Sequence, residues 1–109
     1  VTLTFTELRD AITAVAGGLQ SLGLAKGECV SVFAENNHRW LIAEQAVMKC
    51  GACNAVRGAA APAAELQYIY DNSQSVGLVI EKLELLTKLM APAADGTLGI
   101  RPHFVVVLY

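Results

Sequence analysis

The sequence predicts an α/β fold built on a parallel sheet with crossover helices. Apolar segments that resemble strands alternate with segments of helical spacing about four times along the chain. One strand candidate, Val76–Ile80, is a continuous apolar run, which is typical of strands that are covered on both faces. The stretch from Cys29 to Ala60 reads as strand, polar cap, helix, glycine, strand and glycine turn, which is the order of one βαβ crossover.

The chain is expected to open with a short strand and a long helix. Val1–Phe5 alternates apolar and polar residues, as a strand does. In the following helix Thr6 is the expected amino-terminal cap and Glu7 falls in the first turn. The apolar stripe of this helix recurs at helical spacing and consists of Leu8, Ile12, Val15, Leu19 and Leu22.

Three glycines belong to the same region. Gly17 and Gly18 lie inside the helix, where each costs about 1 kcal/mol relative to alanine, so we expect them to permit close packing on a neighbour. Gly23 is expected to cap the carboxyl end, with Leu24 packing back on the helix.

The central unit is predicted as strand Cys29–Ala34, a helix from about Asn37 to Cys50, and strand Ala52–Val56. Either Asn36 or Asn37 can cap the helix, and Gly51 ends it. Apolar residues leave this helix little polar surface, so we expect it to be largely buried. These residues are Trp40, Leu41, Ile42, Ala43, Ala46, Val47 and Cys50.

The second half continues the alternation. The predicted elements are a helix at Glu65–Asp71, a strand at Val76–Ile80, a helix at Lys82–Met90 that ends near Pro92, a loop from Asp95-Gly96, and a strand at His103–Tyr109. A last strand without a following helix would leave an apolar face uncovered. We therefore expect residues 1–109 to be one truncated part of a larger α/β domain, with exposed apolar surface and a tendency to aggregate.

Net charge and the length of the apolar runs argue against nucleic-acid binding, binding to anionic membranes and membrane spanning. A net charge of −2 gives no electrostatic footprint for nucleic acid or an anionic membrane. The apolar runs are far shorter than the roughly 20 residues that span a bilayer, and no secretory signal is visible.

The three cysteines do not form a disulfide framework. Cys50 and Cys53 make a C-x-x-C, but they fall at the carboxyl end of a predicted helix, where the dipole opposes thiolate formation. The further zinc ligands that remain (Cys29, His38 and His103) are scattered along the chain. We interpret the pair as small buried residues in a tight turn, and we expect no metal site.

No catalytic residue can be assigned from motifs, since dinucleotide, P-loop and nucleophile-elbow patterns are all absent from the sequence. His38 is expected to be solvent-exposed in a first helical turn, Glu35 and Glu44 to be cap and helix-face charges, and Trp40 to anchor the core. Arg57 lies at the carboxyl end of a predicted parallel strand, where α/β sheets bind ligands. A structural salt bridge is the favoured use of Arg57, and a ligand contact is the alternative.

The chain resembles the amino-terminal part of the acyl-activating, adenylate-forming ligases along its whole length. The family opens with T-[YF]-x-E-L, followed by G-L-x-x-G-D-x-V, an Asn, a helix with an early aromatic residue, and Gly-Ala. The corresponding positions here are Thr4–Leu8, Gly23–Val30, Asn36, Trp40 and Gly51-Ala52. The sequence from Ala34 to Gly58 is similar to that of the long-chain fatty acid branch, especially the plant plastid and cyanobacterial acyl–acyl-carrier-protein synthetases. Asn37-His38 replaces the Ser-Pro of many relatives.

The resemblance implies an ATP- and Mg²⁺-dependent enzyme that converts a fatty acid into an acyl-adenylate and passes the acyl group to coenzyme A or acyl-carrier protein. The family's phosphate loop, adenine site and catalytic lysine lie downstream of this sequence, so no cofactor is expected for the 109 residues alone. The loop near the thiol donor's route would be Arg57, Gly58, Ala59 and Ala60, where relatives vary.

The expected function is therefore a segment of a long-chain fatty acid ligase that is inactive by itself. The alternative is a non-catalytic α/β binding or interaction module derived from such an enzyme. The resemblance implies a plastid location in a plant and a cytoplasmic one otherwise, and it leaves peripheral membrane contact open for the whole enzyme. Acyl chain length, the choice of thiol donor and the oligomeric state are not determined by the sequence.

Overall fold

The computed structural model describes residues 2–91 and 99–109. Helices and strands alternate along this part of the chain. The elements are α1 (Phe5–Ser21), β1 (Cys29–Phe33), α2 (His38–Lys49), β2 (Cys53–Arg57), α3 (Ala63–Asn72), β3 (Gly77–Ile80), α4 (Leu83–Met90) and β4 (Phe104–Val107). The predicted α/β class is confirmed.

The four strands form one parallel sheet in the order β2-β1-β3-β4. Residues of β1 alternate between its two faces. Val30 and Val32 join a core with α1 and α2, whereas Phe33 joins a second core with α3 and α4. Helices therefore cover both faces, which explains why β3 is a continuous apolar run.

The first ten residues differ from the prediction. Thr2–Thr4 do not form a strand, Val1 lies outside the described residues, and helix α1 already begins at Phe5. The cap is Thr4, not Thr6. Its hydroxyl accepts from the Glu7 backbone N–H at 3.1 Å, and the Glu7 carboxylate accepts from the Thr4 N–H at 3.1 Å. This reciprocal capping box satisfies two amino-terminal donors, and it outweighs the strand-like alternation of the sequence.

The carboxyl ends of α1 and α2 close in the same way. Gly23 adopts a φ of +103° and Gly51 a φ of +77°, values that L side chains rarely adopt. After Gly23 the Leu24 N–H donates to the Leu19 carbonyl at 3.1 Å, and Leu24 is buried as predicted. Leu22, placed in the apolar stripe by its spacing, is instead the exposed carboxyl cap.

Two packing predictions are wrong within the described residues. A Cβ added at Gly17 or Gly18 would meet no atom within 4 Å, so these glycines do not serve a close approach. Helix α2 is fully buried along one face only, through Ala43, Ala46 and Val47, while its Leu41 and Met48 are exposed. Its cap is Asn37, whose side chain accepts from the Trp40 N–H at 2.9 Å.

The remaining elements lie close to their predicted positions. Helix α3 starts two residues earlier than predicted, directly after Pro62, and helix α4 ends at Met90. The predicted final strand His103–Tyr109 shortens to Phe104–Val107. Pro92 and the predicted loop at Asp95-Gly96 lie outside the described residues. No helix in the described part of the chain is long and apolar enough to cross a bilayer.

Candidate functional site at the carboxyl edge of the sheet

The predicted loop Arg57–Ala60 lies where β2 ends, at the carboxyl edge of the parallel sheet. Arg57 is the last residue of β2 and pairs with Phe33 of β1 in the register. The chain then turns, and the Ala61 N–H donates to the Gly58 carbonyl at 3.2 Å before α3 begins at Ala63. Small residues suit this turn because only a short stretch of chain connects the end of β2 to the start of α3.

Arg57 forms an ion pair with a helix on the same side of the sheet. Its Nε lies 3.0 Å from Oε1 of Glu65, in the first turn of α3, and the two side chains are 52% and 41% exposed. A pair this exposed contributes about 0–1 kcal/mol to stability. Arg57 therefore makes the ion pair that the favoured interpretation expects, while contact of this loop with a thiol donor stays a prediction.

A second carboxylate lies beside the same turn. A Cβ added at Gly58 would lie 3.3 Å from Oε1 of Glu35, which follows β1. The turn therefore has one guanidinium and two carboxylates, from Glu35 and Glu65, around small residues. Across residues 2–91 and 99–109 no three His, Cys, Asp or Glu side chains come together as a metal site would require. This rim can position charge, but it contains no nucleophile.

At the other end of the carboxyl edge, beyond β4, Arg39 contacts the last residues of the chain. Its guanidinium lies 4.4 Å from the centre of the Tyr109 ring and also donates to the Leu108 carbonyl. The start of α2 is thereby linked to the residues that follow β4. No local pattern in the sequence signals this contact, because the partners are separated by 69 residues.

Three other candidates have environments that differ in part from the predictions. His38 is partly buried rather than fully exposed. Trp40 packs against the core that α1 and α2 share, as predicted, with its indole N–H buried and without a partner in the described residues. Glu44 is not a plain surface charge, because its Oε2 is buried and no described residue bonds to it.

The structure separates the two cysteines of the C-x-x-C. Cys50 is buried, its thiol donates to the Ala16 carbonyl at 3.4 Å, and burial raises the pKa of this thiol. Cys53 starts β2 and is exposed, so the prediction that both are buried is wrong for Cys53. The strand exposes it because β2 is an edge strand. His103 lies exposed just before β4.

An apolar groove runs between α1, α2 and β4. One part has a volume of about 340 Å³, and a second part of about 350 Å³ continues along α1. Val15 and Val106 line both parts, and Arg39 lies at the rim of the first. The predicted exposure of apolar surface is therefore present, and this groove on β4 is one part of it.

The fold and the rim together define an α/β scaffold, and comparison with known proteins identifies its class. The family model described as AMP-binding enzyme matches residues 1–108, so the chain belongs to this family. The resemblance to adenylate-forming ligases is thereby confirmed.

Two relatives from Arabidopsis thaliana are similar along almost the whole chain. "Probable acyl-activating enzyme 16, chloroplastic" is 35% identical over 99% of this chain and 14% of its own length. "Long-chain-fatty-acid--[acyl-carrier-protein] ligase AEE15, chloroplastic" is 38% identical over 98% of this chain and 14% of its own length. The chain thus spans about one seventh of the length of these curated relatives.

Solved structures support the fold. The N-terminal domain of FACL13 from Mycobacterium tuberculosis, in its inhibitor-bound crystal form, superposes with a TM-score of 0.85. It covers 98% of this chain and 27% of its own length at 20% identity. The four-stranded sheet and its helices therefore share the fold of one part of that N-terminal domain.

Proposed function

We propose that the chain is the amino-terminal part of an ATP-dependent ligase that activates long-chain fatty acids and passes the acyl group to acyl-carrier protein. The observation that carries the proposal is the 38% identity to a long-chain fatty acid–acyl-carrier-protein ligase over 98% of the chain. Coenzyme A is the alternative thiol donor. Both relatives named above carry "chloroplastic" in their names, which supports a plastid location if the source is a plant.

The proposed reaction has two steps. A carboxylate oxygen of the fatty acid attacks the α-phosphorus of ATP, and pyrophosphate leaves. The thiolate of the acceptor then attacks the acyl carbon, and AMP leaves. Adenylation is needed because a carboxylate is a poor electrophile, and Mg²⁺ offsets the charge that develops on the phosphates.

The described residues support a scaffolding role in this reaction. None of them provides a nucleophile aligned with a base, and at the rim Arg57 is already paired with Glu65. We therefore place ATP binding and the chemical steps in sequence beyond these 109 residues, and we assign the turn Arg57–Ala60 to the approach of the thiol donor.

The first test measures adenylation. The protein that the gene encodes should catalyse ATP–pyrophosphate exchange that depends on Mg²⁺ and on a fatty acid, and a series of chain lengths would give its specificity. The 109-residue chain alone should show no exchange. Exchange by that chain would contradict the placement of the catalytic groups, and no exchange by the complete protein would favour a non-catalytic module.

The second test examines the thiol step. Acyl transfer to holo-acyl-carrier protein and to coenzyme A should be compared for the variants Arg57→Ala and Glu65→Ala, which break the same ion pair from opposite ends. If the Arg57 guanidinium meets the donor, only Arg57→Ala slows transfer, and pyrophosphate exchange stays unchanged in both. Equal effects of the two variants would show that the ion pair is purely structural.

A further inference from the structure

The structure brings together two thiols that the sequence separates by a whole helix. Cys29 is the first residue of β1 and Cys53 the first residue of β2, and the two are paired in the parallel register. Paired residues of neighbouring strands point to the same face, and the strands lie about 4.8 Å apart. That spacing falls within the range of roughly 4.4–6.8 Å between Cα atoms that disulfides require.

The two side chains already interact in the reduced state. The register places the Cys53 side chain beside that of Cys29, close enough that, after burial, Cys53 is the second cause of the raised pKa of the Cys29 thiol. Cys53 is exposed on the edge strand, so an oxidant can reach it, while Cys29 is half-buried beside it. The thiol of Cys50 is engaged with the Ala16 carbonyl in the core between the sheet and α1. Cys50 is therefore not a competing partner for Cys53, despite the C-x-x-C spacing.

We propose that Cys29 and Cys53 form a reversible disulfide that staples the amino ends of β1 and β2. The oxidant class is a small disulfide such as oxidised glutathione. The Cys53 thiolate attacks one glutathione sulfur, forming a mixed disulfide and releasing one glutathione thiol. The Cys29 thiol then loses its proton to solvent and attacks the Cys53 sulfur, which releases the second glutathione thiol. The protein dithiol is oxidised by two electrons and glutathione disulfide is reduced.

The environment of the two thiols sets this order. Burial, together with the neighbouring Cys53 side chain, raises the pKa of the Cys29 thiol. A thiol with a raised pKa is a weak nucleophile toward an external oxidant, and it reacts once the mixed disulfide has formed next to it. The disulfide would close a loop that contains all of α2. It would lie at the amino ends of the strands, whereas Arg57 lies at the carboxyl end of β2. It is independent of the proposed ligase activity.

The test uses the complete protein in glutathione redox buffers, followed by alkylation, trypsin and mass spectrometry. Trypsin releases Cys29 in the peptide Gly27–Arg39, and it releases Cys50 and Cys53 together in the peptide Cys50–Arg57. We expect these two peptides to be joined by a disulfide in oxidising buffer and to separate after reduction. In the matched control Cys50→Ser the cross-link should persist undiminished, whereas Cys53→Ser should abolish it.

Three outcomes would overturn the proposal. The first is a disulfide between Cys50 and Cys53 within one peptide. The second is a cross-link that survives Cys53→Ser or disappears in Cys50→Ser. The third is a glutathione adduct on Cys53 that accumulates without resolution. Cys53 is exposed, so its serine variant is expected to fold, and the test does not depend on a variant of the half-buried Cys29.

Discussion

Replacing Gly77 by alanine is expected to destabilise the fold by about 3 kcal/mol, at the upper end of overpacking costs. Gly77 begins β3 and is paired with Phe104 of β4. An added Cβ would lie 2.1 Å from Cζ of Phe104, and two further ring atoms would lie at 2.4 and 2.5 Å. Phe104 is only 8% exposed, so the ring cannot swing into solvent without giving up its place in the core.

The assay is urea unfolding followed by the fluorescence of Trp40, the only tryptophan of the 109 residues. Gly17→Ala is the matched control, because its Cβ would meet nothing within 4 Å inside a helix. That change should stabilise the chain by about 1 kcal/mol through helix propensity. Glycine-to-alanine substitution is therefore expected to change the free energy of unfolding in opposite directions at Gly77 and Gly17.

A double-mutant cycle identifies the ring as the cause. Phe104→Ala alone should cost about 3–5 kcal/mol, and in that background Gly77→Ala should cost less than about 1 kcal/mol, because the clash is gone. Additive effects of the two changes would refute the reasoning. So would a Gly77→Ala variant as stable as the unmodified chain, since the ring would then have another place to go.

Three further predictions concern caps, pH and a buried carboxylate. Thr4→Ala should lower the free energy of unfolding by about 1 kcal/mol in the urea assay, because it removes the capping box with Glu7. Burial and the Asp71 charge raise the pKa of Tyr70 from 10.0 to about 12, so the unfolded chain loses this proton first. Stability should therefore fall as pH rises from 10 to 12, and this loss should be smaller in Tyr70→Phe. Glu44→Gln should stabilise the chain by about 1 kcal/mol, because Oε2 of Glu44 and Oδ1 of Asn54 are both buried acceptors without described partners.

Each of these predictions has an outcome that would contradict it. Thr6→Ala should be close to neutral, and a larger loss there than at Thr4 would restore the cap that the sequence favours. An alkaline loss of the same size in Tyr70→Phe as in the unmodified chain would contradict the assignment to Tyr70. The Asn54 side-chain amide donates to the backbone carbonyl of Glu44 at 3.1 Å, which brings Asn54 against the same turn of α2. Destabilisation by Glu44→Gln would mean that the carboxylate has a partner outside the described residues.

The sheet and its crossovers could be predicted because their signals are local. A continuous apolar run such as Val76–Ile80 is long enough to identify a covered strand, and glycines at 23 and 51 mark helix ends with a backbone shape that other residues rarely adopt. The start of the first helix was predicted too late in the chain, because two sequence signals compete at Val1–Phe5. Alternation favours a strand, but the Thr4–Glu7 capping box is worth more once the backbone can close it.

Contacts between distant residues could not be predicted in the same way. The C-x-x-C spacing drew attention to Cys50 and Cys53, yet strand register pairs Cys53 with Cys29. Register depends on how β1 and β2 align in the sheet, and a shift of one residue would place Cys53 on the opposite face. The same holds for Arg57, whose structural use could be foreseen while its partner Glu65 could not.

The pairing of Arg57 with Glu65 is compatible with a ligand role, and the geometry explains why. The ion pair uses Nε of the guanidinium, which leaves the two terminal Nη groups as donors for an anion such as a phosphate of the thiol donor. Because the side chain is half exposed, Glu65 restrains it without desolvating it. Glu65→Ala should therefore free the side chain and alter transfer only slightly, while Arg57→Lys should keep the charge but lose the planar fork. If Arg57→Lys transferred the acyl group as fast as the unmodified protein, the positive charge alone would be sufficient. In that case long-range attraction would explain the role of Arg57, and no directed hydrogen bond would be involved.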